Sequence, residues 1–435
     1  MNYYNLKDAE ECVSFKKASI KGQGKEKGLF FPESIPHFTE DFIQNLNQFS
    51  DEEIAFQCMK DFVSADIPEL ELRKIVSETI RFDIPLRKIN ERISVLELFH
   101  GPTLAFKDVG ARFMSRCLSY FLKNEHKKVT VLVATSGDTG GAVADGFHNV
   151  PGINVVILYP KNRVSPVQEK QLTALGGNIA ALEVNGSFDD CQSLVKQAFS
   201  DEEINSELFL TSANSINVAR WLPQQIYYLL ALKQWQKTEN NSPVICVPSG
   251  NFGNICAGIL AYFRGLPVDH FIAACNANDV IPRYLTTQVL EPQKTVPTLS
   301  NAMDVGNPSN FVRILELFHE NFRELKDQLS GYSVNDEETL ATISKVFKED
   351  HYLLEPHGAV AYHALESYLE NHPEKKGIIL ETAHPVKFPE AVEKATGSSV
   401  EIPESLKDLM KKDKKTTEIN PEFEELKRFL FNQNS

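Results

Sequence analysis

Apolar positions along this chain follow two regimes that meet near residue 92. Before it, amphipathic spacing predicts helices over residues 40–49, 51–63 and 67–80, preceded by Gly/Pro-bearing loops at 21–28 and 31–36. Beyond it, short aliphatic runs at 129–135, 153–159, 179–184, 244–247, 271–275 and 378–381 are bounded by Gly, Pro or Asn. Helical segments at 218–235 and 256–263 lie between some of them. That alternation predicts the α/β class, with parallel sheets covered by helices on both faces. In such sheets ligands bind beyond the carboxyl ends of the strands, so the loops after these runs are where chemistry is expected.

Residues 93–99 form one such run, followed by the turn residues His100, Gly101, Pro102 and Thr103. Leu104, Val109, Phe113, Cys117 and Phe121 then recur at helical spacing, which puts Lys107 in the first turn of a helix among apolar side chains. Desolvation and the positive helix end both disfavour an ammonium there. A neutral amine is what a Schiff base with an aldehyde requires. A lysine snorkelling from a helix start is the ordinary alternative.

Three further loops bear chemistry. Ser136, Gly137, Asp138 and Thr139 lead into a small-residue helix start, where backbone amides and two hydroxyls could hold a carboxylate; a tight strand–helix turn is the plain reading. Gly250, Asn251, Phe252, Gly253 and Asn254 open another helix and could cradle a phosphate. No Lys-Ser/Thr follows, so this is no Walker loop, and the glycine spacing does not fit a dinucleotide site. Thr382, at the end of a strand, could meet a ring nitrogen or cap a helix. Lys161, Arg163 and Ser165 resemble an anion grip, or else a solvated loop, and Asn217 and Arg220 stand at a helix start. Residues 283–310 lack periodicity and read as a functional flap.

Composition narrows the class. At 435 residues, 42% hydrophobic and 24% charged, the chain is long and apolar enough for two or three soluble domains. Its net charge of −14 argues against nucleic acid, since phosphate-backbone binding needs a basic surface. The start lacks a signal-peptide pattern, and no apolar stretch has membrane-spanning length, so no membrane partner is expected. Seven scattered cysteines, without zinc spacing, point to reduced thiols, a cytoplasmic setting and no structural metal.

The segments HGPTLAFKD, TSGDTGGA, YPKNRVSPVQEKQ, NSINVARWLPQ, PSGNFGN, NAMDVGNPSNF, EPHGAVAY and ETAHPVKFPEA occur in this order. Together they resemble the threonine synthase family, pyridoxal-phosphate enzymes of fold type II (tryptophan synthase β-like). The opening VSFKKASIKGQGKEKGLFFPESIP resembles the N-terminal unit of that family. The resemblance implies a mainly helical N-terminal unit over 1–92 and a catalytic region of two parallel-sheet α/β lobes over 93–400. The smaller lobe would span about 110–215; the charge run at 411–415 makes 401–435 read as a solvated, partly helical charged tail.

It further implies that Lys107 forms the Schiff base with pyridoxal 5′-phosphate. Gly250, Asn251, Phe252 and Asn254 would bind the cofactor phosphate, with Gly253 shaping the cup, and Thr382 would face the pyridine nitrogen. The turn from Ser136 to Thr139 would hold the substrate carboxylate. Lys161 and Arg163, helped by Ser165, Asn217 and Arg220, would take the substrate phosphate. Asp138 departs from the wider fold, where cysteine synthases usually carry Asn. The implied reaction turns O-phospho-L-homoserine and water into L-threonine and phosphate, in a monomer or homodimer. The rival readings are a hydroxyamino-acid dehydratase or β-replacing synthase of the same fold, and a non-catalytic binder of an anionic metabolite.

Overall fold

Val129–Ala134 reads VTVLVA and is buried at all six positions, the signature of a strand covered on both faces. Runs of this kind build the molecule, whose computed structural model describes residues 1–123 and 128–434. In chain order the strands are β1 (Asn2–Asn5), β2 (Asp8–Ser14), β3 (Phe30–Pro32), β4 (Leu86–Lys88), β5 (Ile93–Glu97), β6 (Val129–Ala134) and β7 (Ile153–Pro160). There follow β8 (Ile179–Val184), β9 (Phe209–Thr211), β10 (Val244–Pro248), β11 (His270–Cys275), β12 (Leu329–Ser333), β13 (Gly377–Glu381) and β14 (Thr417–Ile419).

A larger sheet has the order β12-β11-β10-β13-β5-β4, parallel except for the β4 edge. A smaller sheet, β14-β8-β7-β6-β9, is parallel throughout. The two α/β lobes therefore match the predicted class, and a small antiparallel sheet (β2-β1-β3) sits at the amino end.

The predicted helix at 51–63 forms as Asp51–Val63 because Ser50 Oγ accepts from the Glu53 N–H at 3.1 Å and three acids occupy its first turn. The segment read as one helix over 218–235 is instead broken: Val218–Trp221 passes through the 3₁₀ turn Leu222–Gln224 before Gln225–Trp235. Pro223 lies in that turn and has no N–H to donate.

Residues 1–92 do not close a core of their own. Tyr3, Phe15 and Phe62 share one cluster with Phe113, Trp221 and Ile255, and β4 already belongs to the larger sheet. Two buried guanidiniums fasten this region: Arg264 donates to the carbonyls of Cys58 (2.7 Å) and Pro36 (2.9 Å), and Arg313 to that of Phe30 (3.0 Å). Residues 401–435 were expected to be a solvated tail. Instead β14 pairs with β8, and Leu426 and Leu430 of the Phe423–Asn434 helix are fully buried in the smaller lobe. Four-residue spacing puts these two leucines on one helix face, and burying each contributes about 2 kcal/mol.

Candidate active site

Strands β10, β13 and β5 are parallel neighbours, and each delivers one predicted loop at its carboxyl end. After β5 the chain turns into the helix Lys107–Leu122, with Lys107 in its first turn as expected. After β13 comes Thr382. The two connections are clamped together: Ala105 and Ala383 form an antiparallel bridge, Phe106 N–H donates to the Thr382 carbonyl (2.9 Å), and His384 N–H to that of Leu104 (3.0 Å).

Lys107 is half-buried and, among the described residues, has no hydrogen-bond or ion-pair partner; its Nζ lies 5.7 Å from the centre of the Phe106 ring. Burial lowers its pKa, opposed by the Asp138 carboxylate and assisted by Lys387 and Arg220. The amine is thus kept ready to be neutral.

Asp138 is buried and pairs with Lys387 Nζ at 2.7 Å, while Gln168 Nε2 donates to the same carboxylate oxygen at 3.0 Å. Burial opposes its ionisation, but Lys387 and Lys107 outweigh that and hold its carboxyl well below the usual range. Lys387, fully buried, also donates to the Thr103 carbonyl at 2.9 Å, so it ties the loop at 136–139 to the Lys107 turn. Sequence reading missed Lys387; the available signal was a lysine amid the apolar stretch after β13. Thr135 was missed as well. Its hydroxyl accepts from the amides of Gly137 (3.0 Å) and Gly140 (2.9 Å), and Gly141 N–H bonds the Gly137 carbonyl. Of the helix's first four amides, those of Asp138 and Thr139 remain for an anion.

The loop after β10 keeps one donor unspent. Phe252, at φ +61°, turns the chain into the helix Gly253–Phe263. A side chain at Gly250 would meet Met303 Cα at 2.5 Å, so the loop is pressed against residues 301–310. Asn251 fastens that contact: Nδ2 donates to Ser215 Oγ (2.7 Å) and Oδ1 accepts from Ser309 N–H (2.7 Å). Asn254 Oδ1 accepts from the Tyr228 hydroxyl at 2.8 Å, but its Nδ2 is buried without a partner. A buried orphan donor at a helix start is a phosphate-binding feature.

The predicted anion grip is largely occupied. Lys161 Nζ pairs with Glu418 Oε2 at 2.7 Å, because β14 docks beside its loop. Ser165 caps the helix Pro166–Thr173, and Asn217 caps Val218–Trp221 while its Nδ2 donates to the carbonyls of Ser19 (2.8 Å) and Ser212 (3.1 Å). These three side chains hold structure and correct the expectation of free phosphate ligands. Arg163 is exposed with no side-chain partner among the described residues. Arg220 is buried and its Nη1 donates to the Ala213 carbonyl, yet its Nε is unpartnered. Burial pushes its pKa down to about 10.

Of the region 283–310, the first turns are helical (Val280–Thr287), and the remainder is strapped down by Asn276, whose Nδ2 donates to Thr298 Oγ1 (2.8 Å) and Asp304 Oδ1 (2.9 Å). His384 Nδ1 accepts from Val386 N–H at 3.1 Å as a cap, and burial draws its pKa down to about 4.

These residues fit pyridoxal phosphate: an amine with a lowered pKa and no partner among the described residues, a hydroxyl-bearing turn whose backbone is bridged to the amine's own turn, and a glycine loop with an orphan donor on the adjoining strand. Comparison with known proteins agrees. Residues 80–381 match the pyridoxal-phosphate dependent enzyme family, residues 2–80 the threonine synthase N terminus and residues 358–430 the threonine synthase C-terminal family. The chain is 45% identical to threonine synthase of Haemophilus influenzae over 433 residues, 99% of each. It superposes on the crystal structure of threonine synthase from Escherichia coli with a TM-score of 0.93 and 44% identity, covering 99% of this chain and 100% of that one. The pyridoxal-phosphate-bound threonine synthase of Brucella melitensis gives a TM-score of 0.94 at 34% identity, covering 100% and 99%. From its amino-terminal sheet to β14, this chain belongs to the threonine synthase family of pyridoxal-phosphate-dependent enzymes.

Proposed function

We propose that the chain converts O-phospho-L-homoserine and water into L-threonine and inorganic phosphate, as a monomer or homodimer in the cytoplasm, with Lys107 as the cofactor-linked amine and proton shuttle. The single observation that carries this reading is the unpaired, pKa-lowered Lys107 amine clamped beside Thr382. When bound, pyridoxal phosphate supplies the electron sink for charge left on substrate carbon as protons depart.

The chain's own residues supply the rest. Gly250, Asn251, Phe252, Gly253 and Asn254 form the cup for the cofactor phosphate, with Asn254 Nδ2 the donor that an anion completes. Thr382 Oγ1 would meet the ring nitrogen of the bound cofactor. Ser136, Thr139 and the amides at 138–139 hold the substrate carboxylate. Lys387 neutralises Asp138 at 2.7 Å, so that a second carboxylate can approach this loop without meeting a bare like charge. Arg163 and Arg220, the candidates for this grip whose guanidiniums keep unspent donors, serve the substrate phosphate.

Lys107 Nζ takes the proton from Cα and moves protons between Cα and Cβ. The balance is one C–O bond to phosphate broken at Cγ and one C–H bond broken at Cβ, a hydrogen gained at Cγ, the hydroxyl of water joined to Cβ, and the other proton of water leaving with phosphate. Segment 283–310, strapped to the Gly250 loop through Asn251, excludes bulk water from this region.

The test is an assay with O-phospho-L-homoserine: phosphate and threonine appear in equal amounts. 2-Oxobutyrate as sole organic product would make the chain a dehydratase. Borohydride reduction followed by peptide mapping should place the pyridoxyl adduct on Lys107.

A further inference from the structure

Behind Thr382 lies a buried acid cluster that the proposed steps leave unused. Glu355, Glu381 and His357 are each no more than 2% exposed. Glu355 caps the helix Pro356–Glu370, and its carboxylate accepts from His357 N–H (2.8 Å) and Gly358 N–H (3.1 Å). His357 Nδ1 lies 2.5 Å from Glu355 Oε2, while its Nε2 lies 3.1 Å from the Ala302 N–H. A backbone amide can only donate, so Nε2 accepts and the imidazole proton is assigned to Nδ1. Glu355 therefore receives three N–H donors and has the partners of an ionised carboxylate.

The remaining partner of Glu355 is Thr382 Oγ1, 3.4 Å from Oε1. Glu381 Oε1 accepts from the Glu355 backbone N–H at 2.7 Å, and its Oε2 has no partner. Burial, with the neighbouring Glu355 carboxylate, raises the Glu381 pKa well above the usual range, while the N–H and O–H donors of the cluster converge on Glu355. Residue 358 has to be glycine for this packing, since a Cβ there would fall 1.5 Å from Glu381 Oε2.

A hydroxyl has one proton. Thr382 gives its proton to Glu355, so toward any further partner its oxygen can only accept. Resting on the reading that Thr382 meets the cofactor ring, we propose that Glu355 orients the Thr382 hydroxyl as an acceptor and so selects a protonated pyridine nitrogen. Glu355 is a positioning residue: both of its oxygens already accept from N–H donors, so the Thr382 hydroxyl meets it as the donor. The arrangement answers a chemical demand: a protonated ring is the stronger electron sink, and this reaction removes protons from two adjacent carbons. His357 connects the cluster to segment 283–310 through the Ala302 N–H.

The test uses holoenzyme reconstituted with pyridoxal phosphate labelled with nitrogen-15 in the ring. The expected wild-type resonance is that of a protonated ring nitrogen at neutral pH; an unprotonated resonance overturns the proposal. Glu355→Gln can present an amide donor to Thr382 and reverse its hydroxyl. It should move the resonance to the unprotonated position and lower kcat by roughly 10²-fold with little change in KM. An unmoved resonance in that variant overturns the role of Glu355. Should Glu355→Gln not fold, Thr382→Val removes the acceptor and must shift the same resonance. Mapping the borohydride adduct in parallel separates the two failures: no adduct on Lys107 sinks the catalytic reading, whereas an adduct on Lys107 with an unprotonated ring sinks only this inference.

Discussion

The carboxyl ends of the two sheets carry similar residues and use them differently. At the larger sheet, among the described residues, Lys107 has no hydrogen-bond or ion-pair partner and Asn254 Nδ2 is an orphan, while the Thr382 hydroxyl meets Glu355. At the smaller sheet Arg163 and the amides of Asp138 and Thr139 stay open among the described residues, but Lys161 is paired with Glu418 and Ser165 caps a helix; Asn217, next to that sheet, is likewise fully engaged. A folded chain satisfies its polar groups wherever it can, so groups left unsatisfied at a strand end are the ones reserved for a ligand. The contrast separates binding residues from scaffold residues more sharply than residue type does.

Lys107→Ala is the severest challenge to it. Turnover should fall by roughly 10⁴-fold, yet the urea midpoint of the cofactor-free protein should hold, because the amine has no partner to lose. Lys387→Met should do the opposite. It leaves Asp138 buried without its ion pair and should cost about 3–5 kcal/mol in urea unfolding, largely recovered by adding Asp138→Asn.

His384 supplies a pH test at the larger sheet. Its folded-state pKa is depressed from 6.5 to about 4, so the unfolded chain takes up the proton first as pH falls. Its contribution is intact above about pH 6.5 and is lost progressively down to about pH 4, amounting to at most about 3 kcal/mol. His384→Asn, which keeps a cap acceptor, should flatten stability-against-pH curves across that window.

Asn254→Ala should weaken pyridoxal phosphate binding by about tenfold in a fluorescence titration, the worth of roughly one hydrogen bond. Asn217→Ala should lower the melting temperature and leave that affinity alone. The smallest effect belongs to Lys161→Ala: under about 1 kcal/mol of stability and an unchanged KM for the phosphorylated substrate, while Arg163→Ala raises that KM. A raised KM in Lys161→Ala would erase the distinction between the two sheet ends.

Much of this was legible along the chain. The strand at 179–184 and the helix at 51–63 lie where periodicity put them, because alternation and capping are local. Lys107, Thr382 and the Gly250 loop could be nominated for the same reason: each follows a readable strand. The Asp138–Lys387 pair could not, since neither residue signals the other across the sequence. Glu355 and Glu381 read as a helix cap and a strand end, and only tertiary packing makes them an acid pair. The charge run before β14 likewise hid the two leucines that bury the final helix.

The placement of β14 has a consequence for how the molecule is made. The smaller lobe begins with β6, synthesised before a third of the chain exists, but its sheet is completed by residues 417–419 and its outer face by the helix Phe423–Asn434. A ribosome-bound intermediate therefore carries β8 as an open strand edge while β10 to β13 of the larger sheet are being made, the condition under which nascent chains recruit chaperones or pair with one another.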